Sequence, residues 1–272
     1  MKLQIFQVDA FTSKPFGGNP AAVVPLAGWL PDETMLKIAA ENNLSETAFF
    51  VREGSRYHIR WFTPTVEVNL CGHATLASAF VIFNELKLEK DLIRFHSDRS
   101  GELGVQKQGD MLVLDFPAFP MTEIEPKAAI ALALGMVPLG TWETQGNMVM
   151  VRLQNERDVR WVTPDMPALI ELPYDEVILT APGDDCDFAS RMFAPKLGIP
   201  EDPVTGAIHC SLIPYWAGVL GKTEVFARQV SARGGELFCS LNGDRVSIGG
   251  NAKLYMKGEI FIEAGNEKRI GA

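Results

Sequence analysis

The amino-acid sequence predicts an α+β fold of two similar halves, each a set of short strands wrapped around one buried helix. Three observations predict it. Short alternating segments recur along the chain, two segments are apolar nearly all round, and a repeated pentapeptide precedes each of those two. The length of 272 residues is long for one domain and natural for two of about 100–150 residues each. Hydrophobic residues make up 47% and charged residues 22%, close to the average for chains that bury a core.

The strand signals come first. Residues 2–9 (KLQIFQVD) and 58–62 (HIRWF) alternate, and 111–116, 147–153, 176–180, 244–249 and 258–263 also read as strands. Amphipathic helices are expected at 32–43 and 127–135. Asp32 and Glu33 open the first of these, where a helix N-terminus favours acidic residues. The two apolar segments are Gly72–Phe83 (GHATLASAFVIF) and Gly206–Leu220 (GAIHCSLIPYWAGVL). A helix without a polar face is buried on every side, so each half owns one central helix, and Pro214 predicts a kink in the second.

The repeat joins these signals. Arg60-Trp61-Phe62-Thr63-Pro64 and Arg191-Met192-Phe193-Ala194-Pro195 both read R-x-F-[TA]-P. Each is followed within a dozen residues by a glycine and then an apolar helix, about half a chain apart. That shared order points to an internal duplication. The lobes are expected to meet near 117–125, where Pro and acidic residues interrupt the strand pattern.

Composition excludes several functions. The formal net charge is −9 and the pI about 5.0, a balance that repels nucleic acid and anionic membrane surfaces. It still permits an anionic substrate, because a local site can oppose the global charge. Cysteines stand at 71, 186, 210 and 239, with no CxxC pair and no zinc-ligand spacing, and read as reduced thiols. No secretory leader pattern and no run of 18 apolar residues occurs, so a cytoplasmic protein is expected. Gly17-Gly18 and Gly234-Gly235 lack the spacing of nucleotide-binding loops. His209, beside Cys210 on an apolar helix with no other ligand at metal spacing, reads as a core histidine. Neither a metal nor an organic cofactor is expected.

The helix starts carry the chemistry. A helix N-terminus offers unpaired N–H groups and partial positive charge, and glycine lets a ligand approach the backbone. Two starts, at Cys71-Gly72-His73 and Thr205-Gly206-Ala207, can hold a small carboxylate without Lys or Arg if they face one cleft. His73 stands at the first start, and Glu201-Asp202 just before the second. Glu46, in NNLSETAFFV, immediately precedes an apolar strand. Taken alone, a Glu at a strand start is usually a solvated surface residue. Partial desolvation beside that strand would instead raise its pKa toward the working pH and suit it to proton transfer.

These motifs resemble the PhzF-like isomerases, named for phenazine biosynthesis, within the diaminopimelate-epimerase-like superfamily. The resemblance rests on Asp9-Ala10-Phe11, Phe16-Gly17-Gly18-Asn19-Pro20-Ala21-Ala22-Val23, Ser45-Glu46-Thr47-Ala48-Phe49, the Arg60–Pro64 motif, Glu67 and Cys71-Gly72-His73-Ala74-Thr75. In the second half it rests on the Arg191–Pro195 motif, Glu201-Asp202-Pro203-Val204-Thr205-Gly206 and Gln229-Val230-Ser231-Ala232-Arg233-Gly234-Gly235. It implies a diaminopimelate-epimerase-like fold of two pseudo-symmetric lobes, each a curled, mostly antiparallel sheet around a central buried helix, with the active site in the cleft between them, and a homodimer. The lobes are expected at 1–118, with a strand at about 264–272 returning to it, and at 119–263. Glu46 is implied as the general acid/base, with His73 and Asp202 binding and polarising the substrate. Asn19, Gly72, Ala74, Thr205, Gly206 and Ala207 are implied as substrate-binding, and a small carboxylate as the partner.

Two departures bear on the reading. Relatives often carry Ser where this chain has Ala207, which removes a hydroxyl donor and puts the phenazine substrate in doubt. The superfamily's epimerases use a cysteine at each helix start. Cys71 could fill the first position, but the second start has no thiol, and Cys210, one turn later, is expected in the core. A metabolite-binding relative without strong catalysis, and an epimerase or racemase, therefore stand as alternatives. Arg233 either shapes the pocket rim or pairs with a surface acid.

Overall fold

The computed structural model describes residues 1–125 and 127–263. In the first half, strands β1 (Lys2–Ala10), β2 (Asn19–Leu26), β3 (Glu46–Glu53), β4 (Arg56–Phe62), β5 (Glu67–Val68), β6 (Leu92–Ser97), β7 (Gly101–Gln108) and β8 (Met111–Pro117) are interrupted by α1 (Asp32–Asn42) and α2 (Gly72–Phe80). The second half contains β9 (Met121–Ile124), α3 (Ala128–Leu134), β10 (Gly140–Thr144), β11 (Met148–Arg152), α4 (Glu156–Trp161), α5 (Met166–Glu171), β12 (Glu176–Pro182), β13 (Phe188–Ala194), β14 (Ile199–Asp202), α6 (Gly206–Leu220), β15 (Glu224–Gln229), β16 (Gly235–Asn242) and β17 (Arg245–Gly250). A last strand, β18 (Ala252–Phe261), follows.

An antiparallel ladder between β8 and β17 joins the halves. Outward from it, the first lobe runs β8, β7, β6, β4, β3, β2, β1, β18. The second runs β17, β16, β15, β13, β12, β11, β10, β9. Both series alternate identically: two antiparallel steps, one parallel, one antiparallel, one parallel, two antiparallel. This is the duplication that the pentapeptide repeat points to, carried through the whole topology. Two pseudo-symmetric lobes, each a curled sheet around one interior helix, are thus present as expected.

The exchange of outer strands corrects one expectation. The strand that returns to the first lobe is Ala252–Phe261, which lies inside the segment 119–263 expected to belong to the second. Its ladder on β1 starts at Ala10↔Ala252 and runs to Lys2↔Phe261. The turn Gly250–Asn251 carries the chain from β17 straight onto β1, so the crossover comes earlier than the resemblance implies. Residues 264–272, where the return was expected, lie outside the described residues.

The expected interior helices form at Gly72–Phe80 and Gly206–Leu220, the first continued by a π turn at Val81–Glu85. Both sit inside their sheets in one continuous apolar core that includes Leu76, Ala77, Ile208 and Trp216. Pro214 lies within α6. It cannot donate to Cys210 O, and the backbone N–H of Phe119 donates there instead, at 2.9 Å. The helix is thereby satisfied at the one carbonyl that proline orphans. α1 covers the outer faces of β2 and β3, and α3, α4 and α5 cover β11 and β12, each over its own smaller apolar cluster.

The repeat's arginines explain why the pentapeptide persists. Arg60 grips Glu67 with Nε (2.7 Å) and Nη2 (2.9 Å). Arg191 grips Glu201 in the same way at 2.7 and 2.9 Å. Each planar fork pins the loop that leads to an interior helix start. Arg191 Nη1 also donates to the carbonyls of Val159 and Val162 at the end of α4. Lysine can reproduce neither fork nor reach, so Arg191→Lys should destabilise the chain by about 2 kcal/mol. A urea midpoint equal to the wild type's would show that the clamp is dispensable.

Candidate active site

The two interior helices meet end to end. A Cβ on Gly72 would lie 3.3 Å from Gly206 Cα, and a Cβ on Gly206 would lie 3.4 Å from Gly72 Cα. Glycine at both starts is therefore a packing requirement of the cleft floor. No side chain caps either helix, so both present uncompensated N–H groups and positive dipole ends to one place. A cavity of about 660 Å³ opens over this junction, lined by Glu46, Cys71, His73, Glu176, Asp202 and Ala207 among others. Val66, Leu70, Met192 and Ile199 supply apolar wall.

Glu46 opens β3 and pairs with Ala21 of the parallel β2. Its entry is fixed by Asn43, whose left-handed backbone (φ 49°) ends α1, and by Asn42 Nδ2, which donates to Thr47 Oγ1 at 3.1 Å. The side chain turns inward, and the residue is only 9% exposed. Oε2 lies 3.2 Å from His73 Nε2 but off the line of the ring N–H, and has no aligned hydrogen-bond partner among the described residues.

Asn19, at the head of β2, organises what stands behind Glu46. Its Nδ2 donates to Val204 O at 2.9 Å and to Asp202 Oδ1 at 2.9 Å. Those two acceptors fix which end of the amide is nitrogen. The same nitrogen, which has no lone pair to offer, lies 3.1 Å from His73 Nδ1, so that ring nitrogen accepts a share of one of its two hydrogens. His73 is thus the neutral tautomer with its proton on Nε2, facing Glu46. Thr205 Oγ1 takes the other oxygen of Asp202. Gln229 accepts from Thr205 N (2.8 Å) and donates to Asp202 O (2.8 Å), which locks the second helix entry.

Burial sets the protonation states. Desolvation, and then the negative charge of Asp202, raise Glu46 from 4.5 to about 8. Desolvation raises Asp202 to about 6, while hydrogen bonds from Thr205 and Asn19 hold it down. The two titrate as a pair, so the proton sites belong to both carboxyls together. Desolvation alone lowers His73 to about 3, which agrees with the neutral ring. Burial, then the charge of Glu46, pushes the Cys71 thiol well above its ordinary value.

Glu46, His73, Gly72, Asp202, Thr205, Gly206 and Ala207 thus come together as the sequence suggests. Two others differ. Ala74 is fully buried in the core and does not line the cavity, because it falls on the inner face of the first helical turn. Asn19 is fully buried and reaches the cleft only through His73 and Asp202. Cys71 is a buried, protonated neighbour whose positional counterpart is Thr205, so no thiol pair exists across the helix starts. Cys210 is fully buried in the core. His209 is fully buried and donates from Nδ1 to Thr205 O at 2.8 Å.

Arg233 falls between its two alternatives. It donates to the buried carboxylate of Asp9 (2.9 Å) and to Gly17 O and Gly18 O (2.9 and 2.8 Å). It ties a loop of the second lobe to β1 and the glycine turn of the first.

One atom each from Glu46, Cys71 and His73 lies within 4.8 Å of the others, a spacing that admits a metal ion. The fit is poor. Thiolate is the ligand form of cysteine and burial opposes it, while His73 Nδ1 is already occupied by Asn19.

Glu176 is the residue that sequence reasoning missed. It opens β12, lines the same cavity, and is raised to about 7 by desolvation, then by the charges of Asp202 and Asp175. Its sequence context, an acid directly before the apolar run VILT, is the one that singles out Glu46.

The sequence model of the family described as phenazine biosynthesis-like protein matches residues 8–258. An uncharacterized isomerase of Pseudomonas aeruginosa is 52% identical over 262 residues, covering 96% of this chain and 100% of that one. The phenazine biosynthesis-like domain-containing protein 1 of Mus musculus is 40% identical, covering 96% of this chain and 99% of its own. Among solved structures, a PhzF-family phenazine biosynthesis protein of Enterococcus faecalis superposes with a TM-score of 0.93. It is 47% identical and covers 96% of this chain and 100% of its own. A hydroxyproline epimerase of Agrobacterium vitis shares the fold at a TM-score of 0.61 and 11% identity, covering 95% and 92%.

Proposed function

The chain belongs to the phenazine biosynthesis-like, or PhzF-like, family, and from that premise we propose that it is a cofactor-independent isomerase in which Glu46 moves a proton on a small carboxylate. The observation that carries this reading is the state of Glu46. It is a buried carboxyl whose pKa its surroundings raise to about 8, with one oxygen that has no hydrogen-bond partner among the described residues, at the edge of a cleft floored by two uncapped helix starts.

The chemistry follows from the parts. Removing a proton from carbon leaves negative charge that must be spread and stabilised. A substrate carboxylate seated on the N–H groups at Gly72–His73 and Gly206–Ala207 would conjugate with that charge, and the helix ends would hold it. Glu46 accepts the proton and returns it. His73 presents its Nε2 proton without carrying charge. Asp202, whose oxygens already accept from Asn19 and Thr205, orients the substrate's polar hydrogens rather than moving protons itself.

The test is solvent exchange. The protein is incubated in D2O with a panel of small amino and hydroxy carboxylic acids, and each acid is examined by mass spectrometry. The proposal expects deuterium in at least one acid, and the same acid should stabilise the fold. Ligand at 100 times its dissociation constant contributes about 2.7 kcal/mol, which a thermal scan resolves. Ala207, lacking the hydroxyl donor, favours a second reading as a binding protein. An acid that stabilises the protein but never acquires label would establish that reading and remove the catalytic one.

A further inference from the structure

Glu176 occupies the position in the second lobe that Glu46 occupies in the first. In the parallel ladders, Glu46 pairs with Ala21 and Glu176 with Met148. In the antiparallel ladders, the next residues pair with the phenylalanines of the repeat, Thr47 with Phe62 and Val177 with Phe193. The pseudo-symmetry therefore superimposes the two glutamates register for register, and both line one cavity.

The surroundings of the two are not alike. Glu46 has His73 and Asn19 behind it. The counterpart of His73, the residue after the helix-opening glycine, is Ala207. The counterpart of Asn19, two residues before the paired strand position, is Gly146. Ala207 and Gly146 both line the cavity, so the space that side chains fill in the first lobe is open beside Glu176. Among the described residues no cation pairs with Glu176, whereas the cleft's Glu67 is held by Arg60 and Arg99.

We propose that Glu176 is a second acid–base carboxyl of the cleft, exchanging a proton with the substrate from the second lobe while Glu46 exchanges one from the first. The proposal rests on the isomerase reading and replaces its return step: Glu46 removes one proton, and Glu176 supplies the one that goes back. Glu46, ionised, takes a proton from a substrate carbon: the C–H bond breaks, an O–H bond forms on Glu46, and the electron pair passes into the system conjugated with the substrate carboxylate. Glu176, protonated, gives its proton to a different carbon or face: its O–H bond breaks and a C–H bond forms. The enzyme ends with the two carboxyls in exchanged protonation states. They reset through solvent, and the reverse reaction starts from the other state. Burial, with the nearby acids, keeps both groups within reach of either state at neutral pH.

Glu176→Gln separates this from a structural role. With the same acid panel in D2O, the wild type should both label and isomerise one acid. Glu46→Gln should do neither. Glu176→Gln should keep the label, since Glu46 still removes and returns a proton, but lose isomer formation by 10²-fold or more. Isomer formation at the wild-type rate in Glu176→Gln would overturn the proposal while leaving Glu46 in its role. A wild type that labels no acid removes the isomerase reading, and the proposal with it. A second measurement uses protein labelled with [5-13C]glutamate, whose carboxyl signals are assigned by the same two variants. Both glutamates should titrate near neutral pH, and Glu176→Gln should lower the Glu46 midpoint. A Glu46 midpoint unmoved by the change would also overturn the pairing.

Discussion

Glu46→Gln should reduce proton exchange by a factor on the order of 10² to 10⁴, the contribution of a positioned general acid–base group, without loosening the fold. The amide keeps the size and neutrality of the protonated acid. The same variant has a second, independent signature in stability. The folded-state pKa of Glu46 is raised, from 4.5 to about 8. Between those values the folded chain holds a proton that the unfolded chain has released. The stability that this one group contributes is therefore fully present below pH 4.5 and is lost as pH rises through 8. Glutamine has no proton to lose, so the variant should match the wild type near pH 4.5 and exceed it by roughly 4 kcal/mol at pH 8. Denaturant curves at the two pH values measure this. Equal pH dependence in both proteins would mean that Glu46 is solvated, and the catalytic assignment would fail with it.

Asn19→Ala should be among the most damaging single changes. The side chain is fully buried and its amide nitrogen reaches Asp202, Val204 O and His73 Nδ1 at once. Alanine would leave a carboxylate oxygen, a carbonyl and a ring nitrogen without that donor in a dry interior. At about 1–3 kcal/mol for each stranded group, partly relieved by relaxation, the loss should be about 3–5 kcal/mol. Function should fall further than stability explains. Without Asn19 only the weak thiol donor of Cys71, 3.5 Å from Nδ1, holds His73 in the Nε2–H tautomer, and the proton can sit on Nδ1, facing away from Glu46. Exchange measured where the variant is still fully folded should drop by about 10²-fold. A urea midpoint within experimental error of the wild type's would refute this account of Asn19.

The parts of this molecule legible in the sequence are those written locally. The buried helices announce themselves because GHATLASAFVIF and GAIHCSLIPYWAGVL have no polar face, and the pentapeptide is visible because its Arg, Phe and Pro are contiguous. Glu46, His73 and Asp202 stand in motifs beside those landmarks. What the sequence conceals is long-range. The strand Ala252–Phe261 contains Lys253, Lys257 and Gly258 and is largely exposed on one side, so its pairing with β1 leaves little trace in the residue pattern. Arg233 meets Asp9 across more than two hundred residues. Ala74 shares a motif with His73, yet helical geometry turns one into the core and the other toward Glu46. Glu176 was within reach, since it precedes its repeat arginine by nearly the spacing that separates Glu46 from Arg60. The two stretches share no other residue types that would prompt the alignment.

The crossing of β9 and β18 has a bearing on ancestry. Each leaves the half that precedes it and completes the sheet of the other. A gene for one half would therefore encode a chain whose β1-like strand lacks its outer neighbour, and which could cover that edge only by borrowing from a second copy. A single half could thus complete its sheet only as a mutually clasped pair, with its glutamate repeated on either side of a shared axis. Gene fusion would have freed the two to diverge.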